Sequence, residues 1–79
     1  MKQEITIYGK NNCPWCEKAC DYIDFLGLEY YYINVYKDIS PEALMRLKKD
    51  YDIKTVPAIF INGEFIGGYT ELVQNLYLL

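Results

Sequence analysis

Residues 3–27 have the sequence QEITIYGKNNCPWCEKACDYIDFLG, which predicts a strand, a turn and a helix in succession. Ile5 and Ile7 alternate with polar residues, as in a strand that buries one face. The glycine, lysine and two asparagines that follow are typical of a turn. Pro14 suits the first position of a helix, where a backbone N–H would have no partner. Gly27 suits the end of that helix.

The rest of the chain continues the alternation of strands and helices. We predict a strand over 29–36, a helix that begins at Ser40 and Pro41, a strand over 56–61, a strand over 64–66 and a last helix capped by Thr70. Between the third and fourth strands, Asn62-Gly63 is a strong two-residue hairpin signal. The predicted apolar stripes of the three helices are Ala19, Tyr22, Ile23 and Leu26; Ala43, Leu44, Leu47 and Tyr51; and Leu72, Val73, Leu76 and Leu79.

The predicted element order is therefore β-α-β-α-β-β-α. A short strand–helix–strand crossover should be right-handed, and its two strands parallel. The last two strands should form an antiparallel hairpin. Together these features predict an α/β domain with a mixed four-stranded sheet and helices on both faces.

Length and composition limit the classes of function. The 79 residues allow one domain, 1–79, which should bury about 60–65% of its unfolded surface. The chain has no histidine, which excludes histidine-based catalysis and histidine metal ligands. Eleven acidic residues outnumber eight basic ones, which argues against a nucleic-acid partner. No apolar run approaches the ~20 residues of a membrane span, and no signal peptide is evident, so we expect a cytoplasmic monomer without a membrane role.

The Cys13-Pro14-Trp15-Cys16 motif carries most of the functional information. Cysteines three residues apart in the first turn of a helix are close enough to form a disulfide. The unpaired N–H groups and positive dipole end of the helix, with Lys10 upstream, favour a thiolate at Cys13. We therefore predict that Cys13 is a redox-active nucleophile and that Cys16, one turn deeper, is the resolving thiol.

Three plainer interpretations of the two cysteines are weaker. A closed zinc site needs four ligands, and only Cys20 remains to add to the pair, so no metal is expected. A structural disulfide is disfavoured by the reducing compartment and by the short loop. A chance pair of buried thiols would not explain Pro14 at the predicted helix start. Cys20 itself is predicted to be a small buried apolar residue rather than a regulatory thiol.

The chain resembles the glutaredoxins, which have the thioredoxin-like fold. Three separated motifs carry the resemblance, in the order and spacing of that family: Lys10-x-x-Cys13-Pro14-Trp15-Cys16, Thr55-Val56-Pro57 and Gly67-Gly68-Tyr69-Thr70-Glu71-Leu72. Tryptophan at position 15 departs from the tyrosine that is usual there. We expect this change to alter local packing and redox potential but not to abolish function.

The resemblance implies a site for glutathione as a co-substrate. It implies that Lys10 meets the glycine carboxylate and that the backbone of Val56, turned outward by a cis peptide bond to Pro57, pairs with the cysteinyl part. It further implies that the helix start at Tyr69-Thr70 holds the γ-glutamyl carboxylate. The implied binding residues are Lys10, Trp15, Thr55, Val56, Pro57, Gly68, Tyr69 and Thr70. Two further basic residues, Lys54 and Arg46, would extend the anion-binding edge.

The function that the resemblance implies is glutathione-dependent reduction of protein disulfides and glutathione mixed disulfides. Its protein partners would be disulfide-containing or glutathionylated proteins, with ribonucleotide reductase as one candidate. Three alternatives remain. A related redoxin could take electrons from thioredoxin reductase instead of glutathione. A relative could hold a glutathione-ligated [2Fe–2S] cluster between two protomers, although Pro14 disfavours this. A purely structural module would leave the Cys13-to-Cys16 motif unexplained.

Overall fold

The computed structural model describes residues 3–75, and these contain all seven predicted elements in the predicted order. The elements are β1 (Ile5–Gly9), α1 (Pro14–Phe25), β2 (Tyr31–Asn34), α2 (Pro41–Tyr51), β3 (Ala58–Ile61), β4 (Glu64–Gly67) and α3 (Tyr69–Gln74). None of the helices within this range is long and apolar enough to cross a membrane.

The four strands form one mixed sheet in the order β2-β1-β3-β4. β1 pairs in parallel with β2 and antiparallel with β3, and β3 and β4 form an antiparallel hairpin. β1 lies in the interior of the sheet, and the chain leaves its carboxyl end through Gly9 to begin α1. The first turn of α1 therefore lies beside the carboxyl end of a central strand.

Each face of the sheet carries its own apolar cluster because the side chains of β1 and β3 alternate. On one face, α1 and α3 cover the two strands; the cluster consists of Ile5, Ile7, Ile59 and Ile61 with Ala19, Ile23 and Leu72. On the other face, Leu47 of α2 packs near Ala58 and Phe60 of β3. The ring of Tyr51, also in α2, lies edge-on to Phe60 with centroids 5.0 Å apart. The predicted placement of helices on both faces is confirmed.

Local sequence signals fix most of the element boundaries as predicted. Ser40 caps α2, since its hydroxyl accepts a hydrogen bond from the Ala43 N–H at 3.1 Å. Gly27, just beyond α1, has a φ of +73°, a left-handed conformation that glycine adopts without strain. Asn62 and Gly63 also have positive φ angles, 54° and 82°, as a two-residue hairpin turn requires.

Strand boundaries differ from the prediction because the neighbouring strand determines them. The predicted strand over 29–36 shrinks to Tyr31–Asn34, since these are the residues whose partners lie in β1. The predicted strand over 56–61 begins at Ala58, after the Val56–Pro57 bond, where proline offers no N–H to a ladder.

Helix α3 corrects two details of the prediction. Its N-cap is Gly68, whose backbone is extended, so Thr70 is the second residue of the helix and does not cap it. Leu72 is fully buried, but Val73 next to it is 39% exposed because it faces away from α1 and the sheet. The predicted inward residues Leu76 and Leu79 lie outside the described residues.

Helix α2 is less buried than its predicted apolar stripe indicates. Leu44 and Leu47 are half-buried, whereas Ala43 and Tyr51 are exposed. The helix contacts its face of the sheet through few side chains, so one side of α2 remains open next to the site described below.

Candidate active site

Cys13 and Cys16 are joined by a disulfide in the first turn of α1. Their Cα atoms are 5.2 Å apart. Cys13 is the N-cap of the helix and is 6% exposed, while Cys16 is 1% exposed and lies within the first turn. Both cysteines are buried; the slightly more exposed one is the predicted nucleophile, and the other is the predicted resolving thiol.

The helix directs a backbone donor at the Cys13 sulfur. The N–H of Cys16 donates a hydrogen bond to Sγ of Cys13 at 3.3 Å. The N–H of Trp15, also in this first turn, has no partner inside the helix, so the local potential is positive. Both features stabilise negative charge on Sγ of Cys13, which is the form in which a cysteine attacks a disulfide.

Seven of the eight binding residues implied by the resemblance line one cleft. We define the Trp15 cleft by its lining residues, Trp15, Thr55, Val56, Pro57, Gly68, Tyr69, Thr70 and Glu71. It encloses about 220 Å³. The Val56–Pro57 peptide bond in its wall is cis, as the resemblance implied. The structure thus brings three distant motifs together, while their roles in binding stay predictions.

The eighth residue, Lys10, lies in a second depression that meets the first. We define the lysine groove by Lys10, Asn12, Cys13, Pro14, Trp15, Val35, Tyr36, Lys48, Lys54, Thr55 and Val56. It encloses about 500 Å³ and shares Trp15, Thr55 and Val56 with the Trp15 cleft. Lys54 lies in this groove, whereas the exposed Arg46 is not among the residues that line it; the role of Lys54 in anion binding stays a prediction.

An aromatic row holds the Trp15 ring in place. The ring of Trp15 lies 5.7 Å from that of Tyr69, which in turn lies 6.3 Å from that of Tyr22. Nζ of Lys18 lies 4.5 Å above the Trp15 ring, within range of a cation–π interaction. Because Trp15 remains 53% exposed, its ring forms a wall of the cleft and is also open to a bound molecule.

The start of α3 closes the cleft on the opposite side. The N–H of Gly68 donates to Oε1 of Glu71 at 2.7 Å, which fixes the first turn of α3. A Cβ added at Gly68 would lie 3.4 Å from the carbonyl oxygen of Pro57, so a larger residue would crowd the two walls. Glu71 lines the cleft although it was not among the predicted binding residues. The sequence signal that could have identified it is its position three residues after Gly68, which is the spacing of a capping box.

Cys20 lies outside both depressions and is not activated. It is half-buried, packs on the apolar cluster of α1 and forms a hydrogen bond with Tyr30. Burial raises the pKa of the Cys20 thiol, and the carboxylates of Asp24 and Asp21 raise it further. Burial and the bond to Cys20 raise the pKa of Tyr30 to about 12. Both groups are therefore neutral near pH 7, which agrees with a packing role for Cys20.

Residues 3–75 contain no group of three or more His, Cys, Asp or Glu side chains placed to hold a metal ion. The chemistry that the described site can perform with its own groups is thiol–disulfide exchange, since it pairs an N-cap cysteine with a second cysteine one turn away.

Comparisons with known proteins agree with this geometry. The glutaredoxin family model matches residues 5–66. Glutaredoxin 1 of Escherichia coli is 30% identical over 73 residues, which span 86% of each chain. The crystal structure of glutaredoxin 1 from Francisella tularensis superposes with a TM-score of 0.73 at 29% identity, covering 95% of this chain and 93% of that one. The buckwheat glutaredoxin–glutathione complex superposes with a TM-score of 0.83 at 25% identity, covering 95% of this chain and 69% of the buckwheat chain.

Proposed function

Since the chain belongs to the glutaredoxin family of thiol–disulfide oxidoreductases, we propose that it uses glutathione to reduce protein disulfides and glutathione mixed disulfides. One observation carries this proposal. The Trp15 cleft and the lysine groove meet beside Cys13, and between them they contain every residue that the family resemblance implies for glutathione.

The proposed binding mode assigns one part of glutathione to each region. Lys10 in the groove pairs with the glycine carboxylate. The backbone N–H and C=O of Val56 pair with the cysteinyl residue in the manner of an added strand. The γ-glutamyl group enters the Trp15 cleft, where Tyr69 and Thr70 offer a ring, a hydroxyl and backbone N–H groups. A buckwheat relative of similar fold has been crystallised in complex with glutathione, which supports glutathione as the ligand.

With a glutathionylated protein, the proposed reaction uses Cys13 alone. The Cys13 thiolate attacks the glutathione sulfur, forms a Cys13–glutathione disulfide and releases the protein thiolate, which takes up a proton. A second glutathione thiolate attacks the glutathione sulfur of that disulfide. Oxidised glutathione leaves, and the Cys13 thiolate is restored. The protein cysteine is reduced and the second glutathione is oxidised, while the first glutathione moiety stays at the disulfide level throughout, so electrons balance.

With a protein disulfide, the proposed reaction uses both cysteines. Cys13 attacks one sulfur and forms a mixed disulfide as the first protein thiol leaves. The Cys16 thiolate then attacks Sγ of Cys13, which releases the second protein thiol and forms the Cys13–Cys16 disulfide. Two glutathione molecules reduce that disulfide in successive exchanges and leave as oxidised glutathione. The need for reduced glutathione leads us to propose a cytoplasmic location.

The test is turnover of a glutathionylated model peptide with glutathione as the electron donor. Wild type and Cys16→Ser should be active, and Cys13→Ser should be inactive. Cys20→Ser is a matched control, because it removes a thiol of the same helix outside both depressions. An inactive wild type would overturn glutathione dependence, and thioredoxin reductase would then be the donor to try. Loss of activity in Cys16→Ser would overturn the assigned division of roles.

A further inference from the structure

The lysine groove continues beyond the part that glutathione would fill. A third depression, of about 330 Å³, is lined by Lys10, Asn11, Asn12, Asn34, Tyr36 and Lys37. It shares Lys10, Asn12 and Tyr36 with the lysine groove, so the two form one continuous channel that begins at Cys13. We call this third depression the Tyr36 extension.

The charge along the channel is opposite in sign to that of the chain. The net charge of the protein is −3, and it has eight basic residues. Four of them line the channel, namely Lys10, Lys37, Lys48 and Lys54, and the lining of its two parts includes no Asp or Glu. Within the described part of the chain, no carboxylate pairs with these four ammonium groups. The channel is therefore a positive strip on an acidic protein.

The floor of the Tyr36 extension is held by a buried asparagine. Asn34 is 8% exposed; its Nδ2 donates to Oδ1 of Asn11 at 3.1 Å, and its Oδ1 accepts from the Tyr36 N–H at 2.9 Å. Asp38, next to Lys37 in the sequence, accepts the Asn34 N–H at 2.7 Å and does not line the extension. These bonds fix the backbone that carries Tyr36, whose ring is 67% exposed.

The number of lysines exceeds what glutathione requires. The glycine end of glutathione carries one carboxylate, which Lys10 would satisfy under the proposed function. Lys37 and the exposed Tyr36 ring then have no counterpart in glutathione. A polypeptide with several carboxylates would use the remaining ammonium groups, and its apolar or aromatic side chains could pack on the ring.

We propose that the lysine groove and its Tyr36 extension bind an acidic segment of the protein whose disulfide or glutathionylated cysteine reacts at Cys13. The inference rests on the proposed function, because the cysteine of the bound protein enters the same exchange at Sγ of Cys13. No further reactant is needed. Lys10 and the Trp15 cleft serve glutathione, and the rest of the channel, with Lys37, Lys48 and Lys54, selects the protein substrate.

The first experiment compares two glutathionylated peptides that differ only in the residues beside the cysteine, Asp and Glu in one and Asn and Gln in the other. Wild type should show a kcat/KM several-fold higher for the acidic peptide, since several exposed charge pairs each make a modest contribution. Added salt should reduce that preference. Equal kcat/KM values for the two peptides at low salt would overturn the proposal.

Two variants locate the effect in the channel. Lys37→Gln should lower kcat/KM for the acidic peptide by about two- to fivefold and reduce the preference over the neutral peptide. The matched control is Lys49→Gln, which removes an exposed lysine of α2 outside the channel and should keep the preference. If Lys49→Gln lowers kcat/KM for the acidic peptide as much as Lys37→Gln does, the effect is a general one of charge, and the proposed site is overturned.

A binding measurement separates this inference from glutathione dependence. The acidic and neutral peptides, each with serine in place of cysteine, are titrated while the fluorescence of Trp15 is recorded. If neither glutathionylated peptide turns over but the acidic serine peptide binds in preference, the proposed function fails and the acidic-segment site stands. If a single-stranded oligonucleotide of equal charge binds more tightly than the acidic peptide, the choice of a polypeptide partner is overturned.

Discussion

The backbone N–H of Cys16 donates a hydrogen bond to Sγ of Cys13 over 3.3 Å, so the helix that carries both cysteines supplies a donor that stabilises charge on Cys13. Cys20, farther along the same helix, has the opposite environment, since burial raises its pKa. In the reduced protein we therefore expect iodoacetamide to modify Cys13 before Cys20 at about pH 7. Peptide mapping by mass spectrometry measures this order, and faster modification of Cys20 would contradict it.

The Cys20–Tyr30 pair should make folding stability fall in alkaline solution. Burial first, and then the hydrogen bond to Cys20, raise the pKa of Tyr30 from its ordinary 10.0 to about 12. Between these values the folded protein binds more protons than the unfolded chain, so the free energy of unfolding decreases as pH rises through this window. Urea unfolding at a series of pH values measures the slope. Tyr30→Phe should flatten it, and an unchanged slope in that variant would contradict the assignment.

The bond between Gly68 and Glu71 should stabilise the wall of the Trp15 cleft. Glu71→Ala removes the acceptor of the Gly68 N–H and a negative charge near the start of α3, and it should cost about 0.5–1 kcal/mol of unfolding free energy. Glu71→Gln keeps an oxygen acceptor and should lose less unfolding free energy than Glu71→Ala. Denaturant unfolding of both variants measures the difference; equal losses would show that the hydrogen bond contributes nothing beyond the charge.

Substitutions at Gly9 and Tyr32 should have coupled effects on the free energy of unfolding. A Cβ at Gly9 would overlap the end of the Tyr32 ring, whose hydroxyl donates to the Lys10 carbonyl oxygen at 3.2 Å. In Gly9→Ala the ring must move and this bond is lost, at a cost of about 1 kcal/mol. The same substitution should cost less in a Tyr32→Ala background. Unfolding free energies of the four proteins measure this coupling, and strictly additive losses would contradict it.

The sequence predicted the elements whose signals are local. Ser40, Pro41 and the Asn62-Gly63 pair act through bonds and φ angles within a few residues, so α2 and the hairpin could be placed from the sequence. The ends of the strands could not be placed from the sequence, because the length of β2 depends on which residues of β1 face it. Thr70 was predicted to cap α3, but the extended backbone of Gly68 takes that position, and a cap one or two residues earlier is not distinguishable from sequence.

The candidate site was predictable where the resemblance supplied motifs and not where tertiary structure gathers single residues. Cys13, Lys10 and the Thr55-Val56-Pro57 segment were identified from their motifs. Lys48 lies on α2 and Lys37 follows β2, and nothing in their local sequence marks either as a neighbour of Lys10. Folding brings these lysines to one channel, so the charge distribution around Cys13 becomes visible only in the structure.

The most direct measurement is to trap the Cys13–glutathione disulfide. Cys16→Ser is incubated with oxidised glutathione and analysed by intact mass and then by peptide mapping, with Cys13→Ser and Cys20→Ser treated alongside. We predict that Cys16→Ser gains one glutathionyl group, that peptide mapping places it on Cys13 alone, and that reduced glutathione releases it. A glutathionyl group on Cys20, or none on Cys13, would contradict the claim that Cys13 is the residue that exchanges with glutathione.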